Sequence, residues 1–181
     1  MAKFLIAKTL TINVENYSHG RPYIDLDLTL DYSLLDLIEI IKMYTGYANL
    51  YDWKFINPYE EDENLSFKND GNKFDDIQFG KYRSVTPAIE CFYGSVKMRL
   101  GVRGHRKYSK VYPTVIQAAG RFPTEEELVG NIGIADNDEK RSAEDLKAFE
   151  DKLKVYFKNK YKISDEIAEG SAFGQNKLVK K

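Results

Sequence analysis

Residues 24–30 read Ile-Asp-Leu-Asp-Leu-Thr-Leu, apolar at each even position and polar at each odd one. A period of two sustained over this stretch fits an extended strand with one face on a core and the other in water, and it fits no helix. The pattern then switches. From Ser33 onward Leu34, Leu35, Leu37, Ile38 and Ile41 recur at helical spacing, and Gly46 follows as a stop. Ser33 and Asp36 stand three apart, a relative of the capping box in which the side chains at the first turn satisfy each other's backbone donors. Upstream, Phe4, Ile6, Leu10, Ile12 and Val14 mark residues 3–14 as another strand, joined to 24–30 through Asn16, Ser18, Gly20 and Pro22. The order strand, strand, helix over residues 3–45 predicts an antiparallel hairpin with a helix packed against it.

Further along the pattern is weaker. Residues 51–56 read as a short strand before Asn57-Pro58, and the run Glu60-Glu61-Asp62-Glu63 with the turn Asn69-Asp70-Gly71-Asn72 reads as a surface excursion. Extended segments are predicted at 88–92 and 95–102, hinged at Gly94, with a basic loop beginning at Gly101-Val102-Arg103-Gly104. Residues 111–119 fit either a strand or a helix starting at Pro113. Pro123-Thr124-Glu125-Glu126-Glu127-Leu128 places carboxylates in a first helical turn. Ser142 with Asp145 opens a longer helix to about Tyr161, with Leu146, Phe149, Leu153, Tyr156 and Phe157 on one face.

The fold expected is therefore α+β: a mostly antiparallel sheet, one packed helix over about 33–45, and a two-helix C-terminal region. Residues 1–122 are assigned to the α+β core and 123–163 to a helical C-terminal extension packed on it. Residues 164–181, ending in Lys177, Lys180 and Lys181, are assigned to a flexible basic tail.

A chain of 181 residues can bury one core, and its single cysteine, Cys91, excludes an internal disulfide and the usual zinc ligand sets. The apolar run Phe4-Leu5-Ile6-Ala7 is broken by Lys8, too short for a signal segment or a bilayer span, so a cytoplasmic location with no membrane partner is expected.

The formal net charge of −1 conceals a polarised chain. Residues 1–90 carry 9 Lys/Arg against 15 Asp/Glu and residues 125–181 carry 11 against 13, whereas residues 91–124 carry seven Lys/Arg and no acidic group. Lys97, Arg99, Arg103, Arg106, Lys107, Lys110 and Arg121 are interleaved there with Phe92, Tyr93, Tyr108, Tyr112 and Phe122. Cations attract phosphates, and aromatic rings and guanidinium planes stack on unpaired bases. The binding residues expected are accordingly Lys97, Arg99, Arg103, His105, Arg106, Lys107, Tyr108, Lys110 and Tyr112, on a non-enzymatic protein that binds single-stranded or structured RNA or DNA. The bland reading of the same segment is a solvated strand pair neutralised by carboxylates of the acidic half.

A second reading is a phage or mobile-element interaction module that inhibits a host nucleic-acid enzyme, using either the basic segment or the acidic residues 60–63 and 70–76. Its partner would be a host protein; a dimer seam along the 143–161 helix is an alternative use of that apolar stripe. The weakest reading is a metal-dependent nuclease built from Asp25, Asp27 and Asp52-Trp53-Lys54, whose carboxylates would have to converge on one cation. Asp25 and Asp27 are better explained as the solvent face of an alternating strand. His19 and His105 are too few for a histidine metal site, Gly-rich phosphate loops are lacking, and Cys91 lies in an apolar stretch that suits burial. No catalytic residue, metal or cofactor is expected.

Overall fold

The computed structural model describes residues 5–15, 22–29, 31–59, 65–67, 72–83, 87–108, 112–129 and 140–161. The first strands are β1 (Leu5–Val14) and β2 (Tyr23–Leu28), followed by helix α1 (Leu34–Thr45) and strands β3 (Trp53–Ile56) and β4 (Leu65–Phe67). A 3-10 turn (Asn72–Asp76) and the short helix α2 (Phe79–Arg83) lead to β5 (Ala88–Tyr93), β6 (Val96–Tyr108) and β7 (Thr114–Ala119). A second 3-10 turn (Glu126–Val129) precedes the C-terminal helix α3 (Ala143–Lys160). Among the described residues the strands form one sheet in the order β4-β3-β5-β6-β1-β2-β7. Every neighbouring pair is antiparallel, which gives the α+β class.

The alternation read in the sequence sorts this sheet into two faces. Leu10, Ile12 and Val14 of β1 pair with Val102, Leu100 and Met98 of β6, and Ile12 and Leu10 pair on the other side with Ile24 and Leu26 of β2. Phe55 and Trp53 of β3 continue the same face through Cys91 and Tyr93. Most of these side chains are fully buried and join one core cluster with Leu37, Ile38 and Ile41 of α1 and Phe74 and Phe79 of the segment before β5.

α1 forms where the spacing changes from two to 3.6. Its capping box is complete: the Ser33 amide donates to Asp36 Oδ2 at 2.9 Å and the Asp36 amide donates to Ser33 Oγ at 3.2 Å. Gly46 ends it in the left-handed region, φ 81°, donating its amide to the Lys42 carbonyl at 2.7 Å. α3 likewise starts at a Ser142 cap, and its Phe149, Leu153 and Phe157 are buried against the sheet and α1, each contributing about 2 kcal/mol by area removed from water. That stripe, the candidate dimer seam, faces the chain's own core, with Phe157 4.6 Å from Tyr32 between ring centroids. α3 and the residues just before it also cover the β7 edge: Glu150 of α3 accepts the Val115 amide at 3.0 Å, and the amide of Arg141, ahead of the helix, donates to the Ala118 carbonyl at 2.9 Å.

Several local expectations are corrected. The basic loop placed at Gly101 is instead the continuation of β6, because pairing with β1 carries the strand to Tyr108. The ambiguous stretch before Gly120 resolves as strand over Thr114–Ala119, and the helix start at Pro123 amounts to a single 3-10 turn over Glu126–Val129. Neither α2 nor β4 has enough residues to write a period into the sequence. The acidic run 60–63, the turn residues 69–71 and the tail 164–181 lie outside the described residues.

Candidate functional site

Directly paired residues of an antiparallel sheet share a face, so the register lays out the second face in rows. Lys54, Phe92 and Lys97 form one row across β3, β5 and β6. Ile56, Glu90, Arg99, Asn13 and Tyr23 form the next, from β3 to β2. Ala88, Gly101, Thr11, Asp25 and Gln117 form the third, and Arg103, Thr9, Asp27 and Thr114 the fourth. Lys97, Arg99 and Arg103 therefore do share a face, as the alternation of β6 implies. They do not share an environment.

Lys97 sits between two carboxylates, with its ammonium 2.6 Å from Glu90 and 3.1 Å from Glu15. The hydrogen bond to Glu90, and then that to Glu15, holds its pKa above the ordinary lysine value. Arg103 reaches Asp25 at 3.1 Å while most of its own side chain stays in solvent. Arg121, outside the sheet face, makes a two-pronged pair with Glu127 at 2.7 and 3.0 Å, which lowers the Glu127 pKa. Tyr112 is buried, with the Lys154 ammonium 5.6 Å from its ring, so it is withdrawn from any stacking surface.

Arg99 differs. It is exposed, and it has no hydrogen bond or ion pair to another described residue. Glu90, directly across from it, is taken by Lys97. Lys54, also exposed, lies 6.0 Å from the centroid of the half-buried Phe92 ring. Next to Arg99 along β6, Gly101 leaves open space where a side chain would stand, with nothing within 4 Å of an added Cβ. The backbone of His105, Arg106, Lys107 and Tyr108 runs in β6, and Lys110 lies outside the described residues. Between Arg103 and Arg106 the strand spends two residues against one of β1, a bulge that brings position 106, rather than 105, opposite Ala7.

The carboxylates on β2 overturn one sequence reading. Asp25 and Asp27 are 2% and 8% exposed, not a solvated face. Asp25 accepts from Thr11 Oγ1 at 2.6 Å, Gln117 Nε2 at 2.8 Å and Arg103 Nη2 at 3.1 Å, and Asp27 accepts from Thr9 Oγ1 at 2.9 Å. Donors from β1, β6 and β7 are what permit these charges to leave water. Nothing in the sequence pattern points to Thr9, Thr11 or Gln117, because only the register makes them partners of these carboxylates. The nuclease arrangement fails on the same topology. β2 and β3 are four strand spacings apart, about 19 Å, so Asp25 and Asp27 cannot meet Asp52 and Lys54 on one ion. Among the described residues no cluster of His, Cys, Asp and Glu could hold a metal. Cys91 is buried on the core face, and burial pushes its thiol pKa up. No helix of the described residues is long and apolar enough to cross a membrane.

No protein-family model matches the chain, and no curated protein matches it. Among solved structures it is similar to the crystal structure of MM3350, a protein of unknown function from Methanosarcina mazei Go1, at 14% sequence identity and a TM-score of 0.55. The match covers 68% of this chain and 75% of that one, and it is a likeness of fold.

Proposed function

We propose that the second face of the sheet binds a single-stranded nucleic acid, with Arg99 and Lys54 on phosphates and Phe92 and Tyr23 offering rings to bases. The observation that carries this is Arg99: an exposed guanidinium without an acidic partner among the described residues, mid-sheet beside the opening at Gly101. A sheet face with aromatic residues in adjacent rows is a general platform for splayed bases. Lys97 and Arg103 serve this reading as supports, since their charges are already met by Glu15, Glu90 and Asp25. The test is fluorescence anisotropy with labelled single-stranded RNA and DNA over a salt series. Removing Arg99 and Lys54 together should weaken binding and flatten the log–log salt slope by about 1.4, at roughly 0.7 per phosphate contact on a single strand. Binding that is absent at tens of micromolar protein, or unchanged in the double alanine variant, overturns the reading.

One observation favours a protein partner instead. On the described part of this face the cations Lys54, Lys97, Arg99 and Arg103 are equalled in number by the carboxylates Glu15, Glu90, Asp25 and Asp27, although only Lys97 and Arg103 are paired with them, and a face of both signs suits a mixed protein surface such as a nucleic-acid enzyme of a host. Pull-down from nuclease-treated lysate discriminates the two: a stoichiometric protein retained by the wild type and lost by Arg99→Ala supports this second reading.

A further inference from the structure

On the other side of the sheet, the last turn of α1 and the first turns of α3 flank a solvent-open hollow of about 290 Å³. Met43, Tyr44, Leu146 and Phe149 supply an apolar wall, and Arg141 and Lys152 stand on its lining. The wall is braced: Tyr44 meets Phe149 and Phe122 edge-on, each at 5.3 Å between centroids. Arg141 is held without being neutralised. Among the described residues its side chain donates only to neutral oxygens, the Tyr44 hydroxyl at 3.4 Å and the Gly120 carbonyl at 3.3 Å. A guanidinium has five N–H donors, so most of its capacity is left over. Neither Arg141 nor Lys152 has a carboxylate partner among the described residues. Asp145, the acidic residue of the lining, accepts the Ser142 hydroxyl at 2.9 Å at the α3 cap, so the lining carries two cations, Arg141 and Lys152, against one carboxylate.

We propose that this hollow binds a small amphipathic monocarboxylate, its apolar body against Met43, Leu146 and Phe149 and its carboxylate on Arg141, with Lys152 alongside. The lining is divided between an apolar part, Met43, Leu146 and Phe149, and a charged part with Arg141 and Lys152, which matches a ligand with an apolar body and an anionic head. Phenylacetate, one aromatic ring with one carboxylate, is a small probe that presents both parts of such a ligand to this hollow. A ligand this small should saturate the site at roughly millimolar concentration. The inference is independent of the sheet-face reading, which uses other residues on the opposite side.

The chain has three methionines, which makes methyl-labelled methionine a direct reporter: Met43 lines the hollow and Met98 is fully buried in the sheet. Titrated phenylacetate should shift the Met43 methyl saturably and leave Met98 in place. Lys152→Gln, at an exposed position that does not threaten folding, should weaken the apparent affinity, and Arg141→Gln should weaken it by roughly tenfold or more, the loss expected of one charge-assisted contact. Phenethylamine, with the same ring and the opposite charge, should leave Met43 unshifted. Equal shifts from the amine and the acid, an unchanged affinity in both variants, or a Met43 response that never saturates overturns the proposal.

Discussion

Lys160, the last residue of α3, places its ammonium 2.5 Å from Asp36, the residue whose carboxylate completes the first turn of α1. The same ammonium is 2.5 Å from Asp75, and the Tyr161 hydroxyl donates to the second oxygen of Asp36. The fully buried Asp36 carboxylate thus ties the C-terminal helix to α1, and Lys160 extends the tie through Asp75 to the 3-10 turn between β4 and α2. Asp36→Ala removes the partner of two donors and half of the capping box. The expected cost is about 3 kcal/mol, the low end for breaking a buried pair, since Lys160 keeps Asp75. Urea denaturation checks this, with Ser142→Ala as a cap-only comparison costing about 1 kcal/mol. An Asp36→Ala loss no larger than that of the cap alone would show that the tie contributes nothing.

Gly94 and Gly46 separate backbone strain from crowding. Both have positive φ, 55° and 81°, but a Cβ at Gly94 would stand 3.0 Å from the Tyr51 ring, whereas at Gly46 it would meet nothing within 4 Å. Alanine at Gly46 should cost about 1–2 kcal/mol, the left-handed penalty alone. Alanine at Gly94 should cost more, because Tyr51 packs edge-on against Tyr93, at 5.6 Å, and must give way. Paired thermal melts rank them, and equal losses would mean that the Tyr51 ring moves without cost.

These two glycines also illustrate what the sequence makes legible. Gly46 follows a helical stripe and Gly94 separates two extended runs, so local pattern locates α1 and the β5–β6 turn, as it locates the hairpin of β1 and β2 and the long helix from Ser142. Patterning fails where elements are too short to hold a period, as in α2 and β4. It fails differently at Asp25 and Asp27. Alternation assigns them correctly to the face opposite the core, but equating that face with water requires knowing that Thr11, Gln117 and Arg103 come from three other strands. The candidate site is half legible for the same reason. A charge count identifies the basic segment, while which cations are neutralised depends on the positions of Glu15, Glu90 and Asp25, far away in the chain.

That distinction between neutralised and unneutralised cations has a measurable consequence on β6. Arg103→Ala takes one of three donors from a buried carboxylate and should destabilise the fold by about 1–3 kcal/mol. Arg99→Ala touches no described partner and should stay within about 0.5 kcal/mol of the wild type. Denaturation midpoints of the two variants, measured side by side, decide the matter. A larger loss for Arg99→Ala would reverse the roles assigned to the two arginines.

Tyr93 carries the last expectation, which concerns alkaline pH. The ring is buried, stacked on Tyr47 with centroids 4.5 Å apart, and its hydroxyl donates to Glu125 while accepting the Leu50 amide. Burial first, and then the hydrogen bond to the Glu125 carboxylate, pushes the phenol from 10.0 up to about 12. The fold therefore favours the neutral phenol. Its contribution is fully present below pH 10 and is lost as pH rises from 10 to about 12, where the unfolded chain ionises and the native chain does not. Over that window the loss attributable to Tyr93 should be on the order of 2 kcal/mol, at 1.36 kcal/mol per pKa unit. Other tyrosines titrate too, so the informative quantity is the difference between wild type and Tyr93→Phe. At neutral pH the phenylalanine variant should be the less stable by about 1–3 kcal/mol, because Glu125 and the Leu50 amide lose a partner. The gap should narrow steadily above pH 10, since phenylalanine has no proton to lose. Urea titrations of both proteins across this window measure it, and a gap that stays constant to pH 12 would mean that Tyr93 ionises in the folded chain as readily as in water.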